Sequence, residues 1–156
     1  AAFYNRGLAR EEKGDLDGAI ADQTKVIEIE PQNAKAYYSR AVAKGENGDL
    51  QGSILDNTKA IGVDPNFSEA YFSRGLAKAQ GGDLDGAVQD YTAAIAQSGK
   101  AADAYYNRGA IFLRKKDYAH ALSDLEKAAS LDPAMLAKAK PVIDEIKKMN
   151  SAAGKK

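Results

Sequence analysis

One short phrase recurs four times in this chain at an interval that never slips. Ala2-Phe3-Tyr4-Asn5-Arg6-Gly7, Ala36-Tyr37-Tyr38-Ser39-Arg40-Ala41, Ala70-Tyr71-Phe72-Ser73-Arg74-Gly75 and Ala104-Tyr105-Tyr106-Asn107-Arg108-Gly109 stand 34 residues apart. The same spacing separates Gly14-Asp15-Leu16, Gly48-Asp49-Leu50 and Gly82-Asp83-Leu84, with Lys116-Asp117-Tyr118 as the fourth copy. A fixed period of this size is the mark of a repeat array, in which each unit buries its apolar face against its neighbours.

Each unit reads as two helices. The Gly-Asp pair supplies a left-handed helix stop followed by an N-cap, and Pro31, Pro65 and Pro133 close the second helix. In the third unit Gly99 stands in the proline's place, where a glycine cap does the same stopping work. Between these signals apolar residues such as Ile20, Val26 and Ile27 fall at helical spacing, with no strand-like alternation. The expected fold is therefore all-α, about nine helices. Its units span residues 1–33, 34–67, 68–101 and 102–135, followed by a capping helix over 136–150 and a disordered basic tail over 151–156. Pro141 should kink that last helix or mark its real start.

The phrase resembles the tetratricopeptide repeat. The family's first aromatic is matched by Phe3, Tyr37, Tyr71 and Tyr105, its small residue by Gly7, Ala41, Gly75 and Gly109, and its later alanine by Ala19, Ser53, Ala87 and Ala121. The style looks like that of bacterial members. The resemblance implies a right-handed α-solenoid of antiparallel helix pairs, whose first helices line a concave, peptide-binding surface.

The sequence departs from that pattern in two ways. Arginines 6, 40, 74 and 108 stand where leucine is usual, and Arg10, Lys44 and Lys78 replace an aromatic that Phe112 keeps. Gln23 and Asn57 also replace a second aromatic, which Tyr91 preserves and Leu125 keeps apolar. Sixteen residues after each arginine comes an aspartate: Asp22, Asp56, Asp90 and Asp124. Arginine and aspartate lie equally far from the turn, so an antiparallel hairpin sets them side by side. The expectation is four structural ion pairs, Arg6–Asp22, Arg40–Asp56, Arg74–Asp90 and Arg108–Asp124. The rival reading is an anion-binding arginine stripe.

A helix advances about 100° per residue, so the opposite face of each first helix carries a different set. The candidate peptide groove comprises Tyr4, Leu8 and Glu11, then Tyr38, Val42 and Glu46, then Phe72, Leu76 and Gln80, then Tyr106, Ala110 and Arg114. Aromatics there offer large contact area at low entropic cost, although they also serve as packing between first helices. Glu11, Glu12, Glu46, Glu69 and Asp103 outnumber Lys35 and Arg114 along it, which points to a mildly basic or apolar ligand. The positions at which some family members grip a chaperone's terminal carboxylate hold Tyr4, Leu8, Ser39, Glu69 and Ser73, so no such clamp for an acidic tail is expected.

Composition narrows the function further. The 22 basic and 22 acidic residues balance, so no global field draws nucleic acid or anionic membranes. Six lysines against Asp144 and Glu145 make residues 134–156 locally basic, a pattern read as solubility and helix-dipole complementation. Without cysteine and with His120 alone, on the polar side of a second helix, neither a zinc site nor a histidine-based triad can be assembled. No cofactor and no catalysis are expected. No apolar run is long enough to span a membrane, so the domain reads as soluble, with cytoplasm and periplasm both open. The chain begins without methionine inside a helical pattern, which reads as a piece of something longer. The leading reading is a protein-interaction scaffold binding a peptide or partner segment; the alternative is an element of end-to-end self-association.

Overall fold

A computed structural model describes residues 2–98 and 102–153. Gly99 and residues 154–156 lie outside the described residues. Nine helices are present among those described, with no strand: α1 Ala2–Glu12, α2 Leu16–Ile29, α3 Ala34–Glu46, α4 Leu50–Val63, α5 Ser68–Gln80, α6 Leu84–Ser98, α7 Ala102–Arg114, α8 Tyr118–Leu131 and α9 Pro133–Ala153.

The turn chemistry explains the hairpins. Gly14, Gly48 and Gly82 adopt φ of 78°, 87° and 90°, the left-handed region in which a side chain is strained, and Lys116 is held there at φ 60°. The next residue's N–H then reaches back to close the first helix: Asp15 to the Arg10 carbonyl, Asp49 to Lys44, Asp83 to Lys78 and Asp117 to Phe112, all at 2.8–2.9 Å. That same aspartate opens the second helix, its carboxylate accepting from the N–H of Gly18, Gly52, Gly86 or His120. Glycine suits the first three positions because a Cβ there would fall within 2.2 Å of the capping carboxylate. The fourth unit accommodates His120, whose Nδ1 lies 2.7 Å from the Asp117 carboxylate.

Cross-hairpin bonds show the antiparallel sense. Arg6 meets Asp22, Arg10 meets the Gly18 carbonyl, and Gln23 donates to the Tyr4 carbonyl, so positions rise on one helix as they fall on the other. The chain divides into two compact units, residues 1–90 and 91–156. In the first, α1 packs on α2, α3 on α4, and the second helices α2 and α4 pack on the first helices that follow them. Its interior is built of small residues, Ala19, Ala36, Ala41, Ala43, Ala60, Ala70 and Ala77, which let helices approach closely, and its largest fully buried side chains are Gln23 and Asn57. In the second unit larger apolar residues do this work: Leu125, Ile143 and Ile146 form one cluster, and Met135 packs with Ala102 and Ala128 in another.

The last helix differs from the expected 136–150. It starts at Pro133, with Asp132 accepting from the N–H of Ala134 at 2.8 Å, and it continues to Ala153. Proline at the first helical position lacks only an N–H that would have no helical partner anyway. Pro141 therefore lies inside the helix rather than at its start, and residues 151–153 belong to the helix rather than to a tail.

Candidate functional site

Two opposite faces of the first helices carry the candidate residues. On one face each arginine forms a two-pronged bond to the aspartate of its own hairpin. Arg40 donates from Nε and Nη2 to Asp56 at 2.7 Å each, Arg74 to Asp90 at 2.9 and 2.7 Å, Arg108 to Asp124 at 2.7 and 2.8 Å, and Arg6 to Asp22 at 2.8 and 2.6 Å. The pairing raises the pKa of Arg6, Arg40 and Arg108 and lowers that of Asp22, chiefly through these hydrogen bonds.

Three further features of this face were not read from the sequence. Arg10, Lys44 and Lys78 supply a second cation to the same aspartates, at 3.0, 2.8 and 2.8 Å. They are not simply lost aromatics; they complete the carboxylate's coordination. Each guanidinium also lies over the preceding aromatic, Phe3, Tyr37, Tyr71 or Tyr105, at 5.2–5.9 Å from the ring centre. Finally, Nη1 of Arg40, Arg74 and Arg108 donates to Thr24, Thr58 and Thr92 of the preceding second helix at 3.1, 3.0 and 2.8 Å. The signal was available, because these threonines recur every 34 residues. Arg6 has no such threonine among the described residues, and its side chain is 55% exposed where the other three are 16–17%.

The opposite face holds a cleft. In the unit of residues 1–90, α3 and α5 enclose a cavity of about 300 Å³. Tyr38, Val42 and Glu46 line it from α3, and Phe72, Leu76 and Gln80 from α5. Ala41, Gly45, Ser53, Ser73 and Ala77 complete the lining. The small residues leave the space, and the two aromatics give it an apolar wall. Beneath it the buried Asn57 Nδ2 donates to Ser73 Oγ at 3.0 Å and to the Ser53 carbonyl at 3.1 Å. Asn57 Oδ1 is buried without a partner, as is Gln23 Oε1.

Phe67, which sequence reasoning did not single out, precedes α5 at its N-cap and packs on Tyr38, with ring centres 5.1 Å apart. Glu11, half-buried on α1, is one residue out of register with Glu46, whose strict counterpart is Glu12. Burial raises the Glu11 carboxyl, and Glu46 and Glu12 raise it further. Burial also raises the Tyr38 hydroxyl, assisted by Glu69, Glu11 and Tyr4. Tyr4 and Leu8 are half-buried on α1. In the second unit Tyr106 packs against both apolar clusters, Ala110 is half-buried and Arg114 is exposed. Tyr106 is thus engaged in packing.

Among the described residues no group of three or more His, Asp or Glu side chains is placed to hold a metal ion, and no helix is long and apolar enough to cross a membrane.

The Tetratricopeptide repeat profile matches residues 102–135, and the TPR repeat profile matches residues 7–48 and 77–116. The chain belongs to the tetratricopeptide repeat family, an all-α solenoid of helix pairs and a protein-interaction scaffold. No curated protein matches it in sequence. Among solved structures it is similar to a MamA protein, with TM-score 0.81 and 26% identity over 94% of this chain and 85% of that one. A tetratricopeptide repeat protein from Parabacteroides merdae aligns at TM-score 0.81 and 17% identity, covering 94% of this chain and 59% of that one. The first TPR of Spaghetti (RPAP3), solved with the HSP90 peptide SRMEEVD, aligns at TM-score 0.72 and 22% identity over 74% of this chain and 94% of that one.

Proposed function

We propose that the chain is a non-catalytic scaffold whose α3–α5 cleft binds an extended peptide segment of a partner protein. The carrying observation is the cleft itself. Six of the twelve groove candidates, Tyr38, Val42, Glu46, Phe72, Leu76 and Gln80, line one cavity. Ser73, whose hydroxyl oxygen accepts from Asn57, keeps its own O–H to donate to a peptide carbonyl. The solved RPAP3 domain, with a peptide bound, supports this use of the fold. Nothing in the cleft matches that peptide's acidic end, because Glu46 lines it and no lysine or arginine does. The arginine–aspartate forks serve hairpin register in this reading, since Nε, Nη1 and Nη2 of Arg40, Arg74 and Arg108 all donate within the chain already.

Partner capture with the intact chain and with Tyr38→Ala plus Phe72→Ala tests the cleft. Equal recovery of the same partners by both baits would sink it.

The exposure of Arg6 favours a second reading, in which another hairpin docks on α1 and supplies the hydroxyl that Thr24 supplies to Arg40. Sedimentation over a range of concentrations tests this, and a concentration-independent monomer would exclude docking of a second copy.

A further inference from the structure

We infer that the segment bound in the α3–α5 cleft carries a lysine or arginine whose charged end is received by Glu46 and Glu11 beside the Tyr38 ring. The inference rests on the cleft reading above and adds the chemistry of its occupant. Glu11 lies in the last turn of α1 and Glu46 ends α3, at matching ends of two first helices that pack together, whereas Glu69 lies in the first turn of α5. Glu46 lines the cleft directly, and α3 packs against both α1 and α5.

Burial and then Glu46 raise the Glu11 carboxyl, and burial and then Glu69 and Glu11 raise the Tyr38 hydroxyl. Among the described residues no lysine, arginine or histidine forms an ion pair with Glu11, Glu46 or Glu69. The buried carboxylates of this unit, Asp22, Asp56 and Asp90, are by contrast each gripped by two cations, while Glu11 is half-buried and Glu46 and Glu69 are exposed. Glu46, which lines the cleft with Tyr38 and Phe72, and Glu11 on the neighbouring helix thus carry negative charge with no cationic partner among the described residues.

A cationic side chain relieves that repulsion, and its methylene stem covers Tyr38 and Phe72 while the charge reaches the carboxylates. An acidic segment would add to the repulsion, and a purely apolar one would bury the carboxylates without a partner.

Random peptides displayed on phage are selected against the intact chain. The winners are then synthesised with their basic residue kept, replaced by norleucine, or replaced by glutamate. Fluorescence anisotropy measures each peptide against the wild type, Glu11→Gln plus Glu46→Gln, and Phe72→Ala, with circular dichroism checking that each variant is folded. The expected result is enrichment of lysine or arginine and about tenfold weaker binding of the norleucine peptide to the wild type, with the glutamate peptide weaker still. The lysine–norleucine difference should shrink below about twofold on the double glutamine variant and fall with added salt. Winners without a basic residue, or a difference that persists on the double variant, overturn the inference. If Phe72→Ala weakens all three peptides but charge makes no difference, only the cation fails. If Phe72→Ala leaves all three unchanged, the cleft reading fails with it.

Discussion

Arg40 holds Asp56 by two parallel 2.7 Å bonds, and Lys44 closes the remaining approach at 2.8 Å. The aspartate side chain is only 6% exposed, so removing its charge strands two cations in a poorly hydrated place. Asp56→Asn should cost ~3 kcal/mol, and Asp22→Asn ~1 kcal/mol because the exposed Arg6 regains water. Urea denaturation measures both. A loss below about half a kcal/mol for Asp56→Asn would mean the pair does not stabilise the hairpin and would reopen the anion-binding reading.

The Asp22 carboxyl is depressed by its hydrogen bond to Arg6 and by Arg10. A carboxyl with a lower pKa in the folded state contributes stability above its unfolded value of about 3.9 and loses it as pH falls toward the folded one. The wild type should therefore exceed Asp22→Asn in stability by a constant margin at neutral pH. That margin should narrow below about pH 4, read from urea midpoints across a pH series.

Lys116 occupies the left-handed backbone position that Gly14, Gly48 and Gly82 fill in the other units. Lys116→Gly should raise stability by ~0.5–1 kcal/mol, since the strain removed outweighs the added freedom of the unfolded chain. The converse change, Gly48→Lys, should lower it.

Thr24 joins two units through its hydroxyl, accepting from Arg40 while donating to the Ile20 carbonyl. Thr24→Val keeps the shape and removes that acceptor, at an expected cost of ~1 kcal/mol. A double-mutant cycle with Arg40→Lys should show the two changes to be coupled, and additivity would deny the contact any weight.

Gln23 fills with an amide the place Leu125 fills with an isobutyl group, each against a glycine of the facing helix, Gly7 or Gly109. Its Oε1 has no partner and its Nε2 bond to the Tyr4 carbonyl is long, at 3.3 Å. Gln23→Leu should be neutral or stabilising by up to ~1 kcal/mol in thermal or chemical denaturation.

What could be read from the chain was whatever depends on intervals within one hairpin. Gly14 and Asp15 mark the turn, and counting outward from that turn brings Arg6 opposite Asp22 without any coordinates. Contacts between units needed the packing itself. Thr24 is sixteen residues before Arg40, the same interval as Arg6 to Asp22, yet only the stacking of α2 on α3 shows that it matters. Lys44 looked like a missing aromatic because family pattern, not local charge, framed the position. Its side chain in fact reaches Asp56. The cleft was legible as a row of residues but not as a cavity, because Ser53 and Gly45, whose small size opens it, belong to the packing side of the pattern. The start of α9 was misplaced because Asp132 ends one helix and begins the next with the same residue.

The threonine contact changes where this molecule should be cut. Each inner arginine reaches forward to its own aspartate and backward to the threonine of the hairpin before it. A module excised from phrase to phrase carries half a clasp at each end. One that begins at a threonine-bearing helix and runs through the arginine-bearing helix after it keeps the clasp but severs the stronger arginine–aspartate forks. The piece to graft when lengthening or recombining such arrays is therefore two whole hairpins, such as α1 to α4, which keep both.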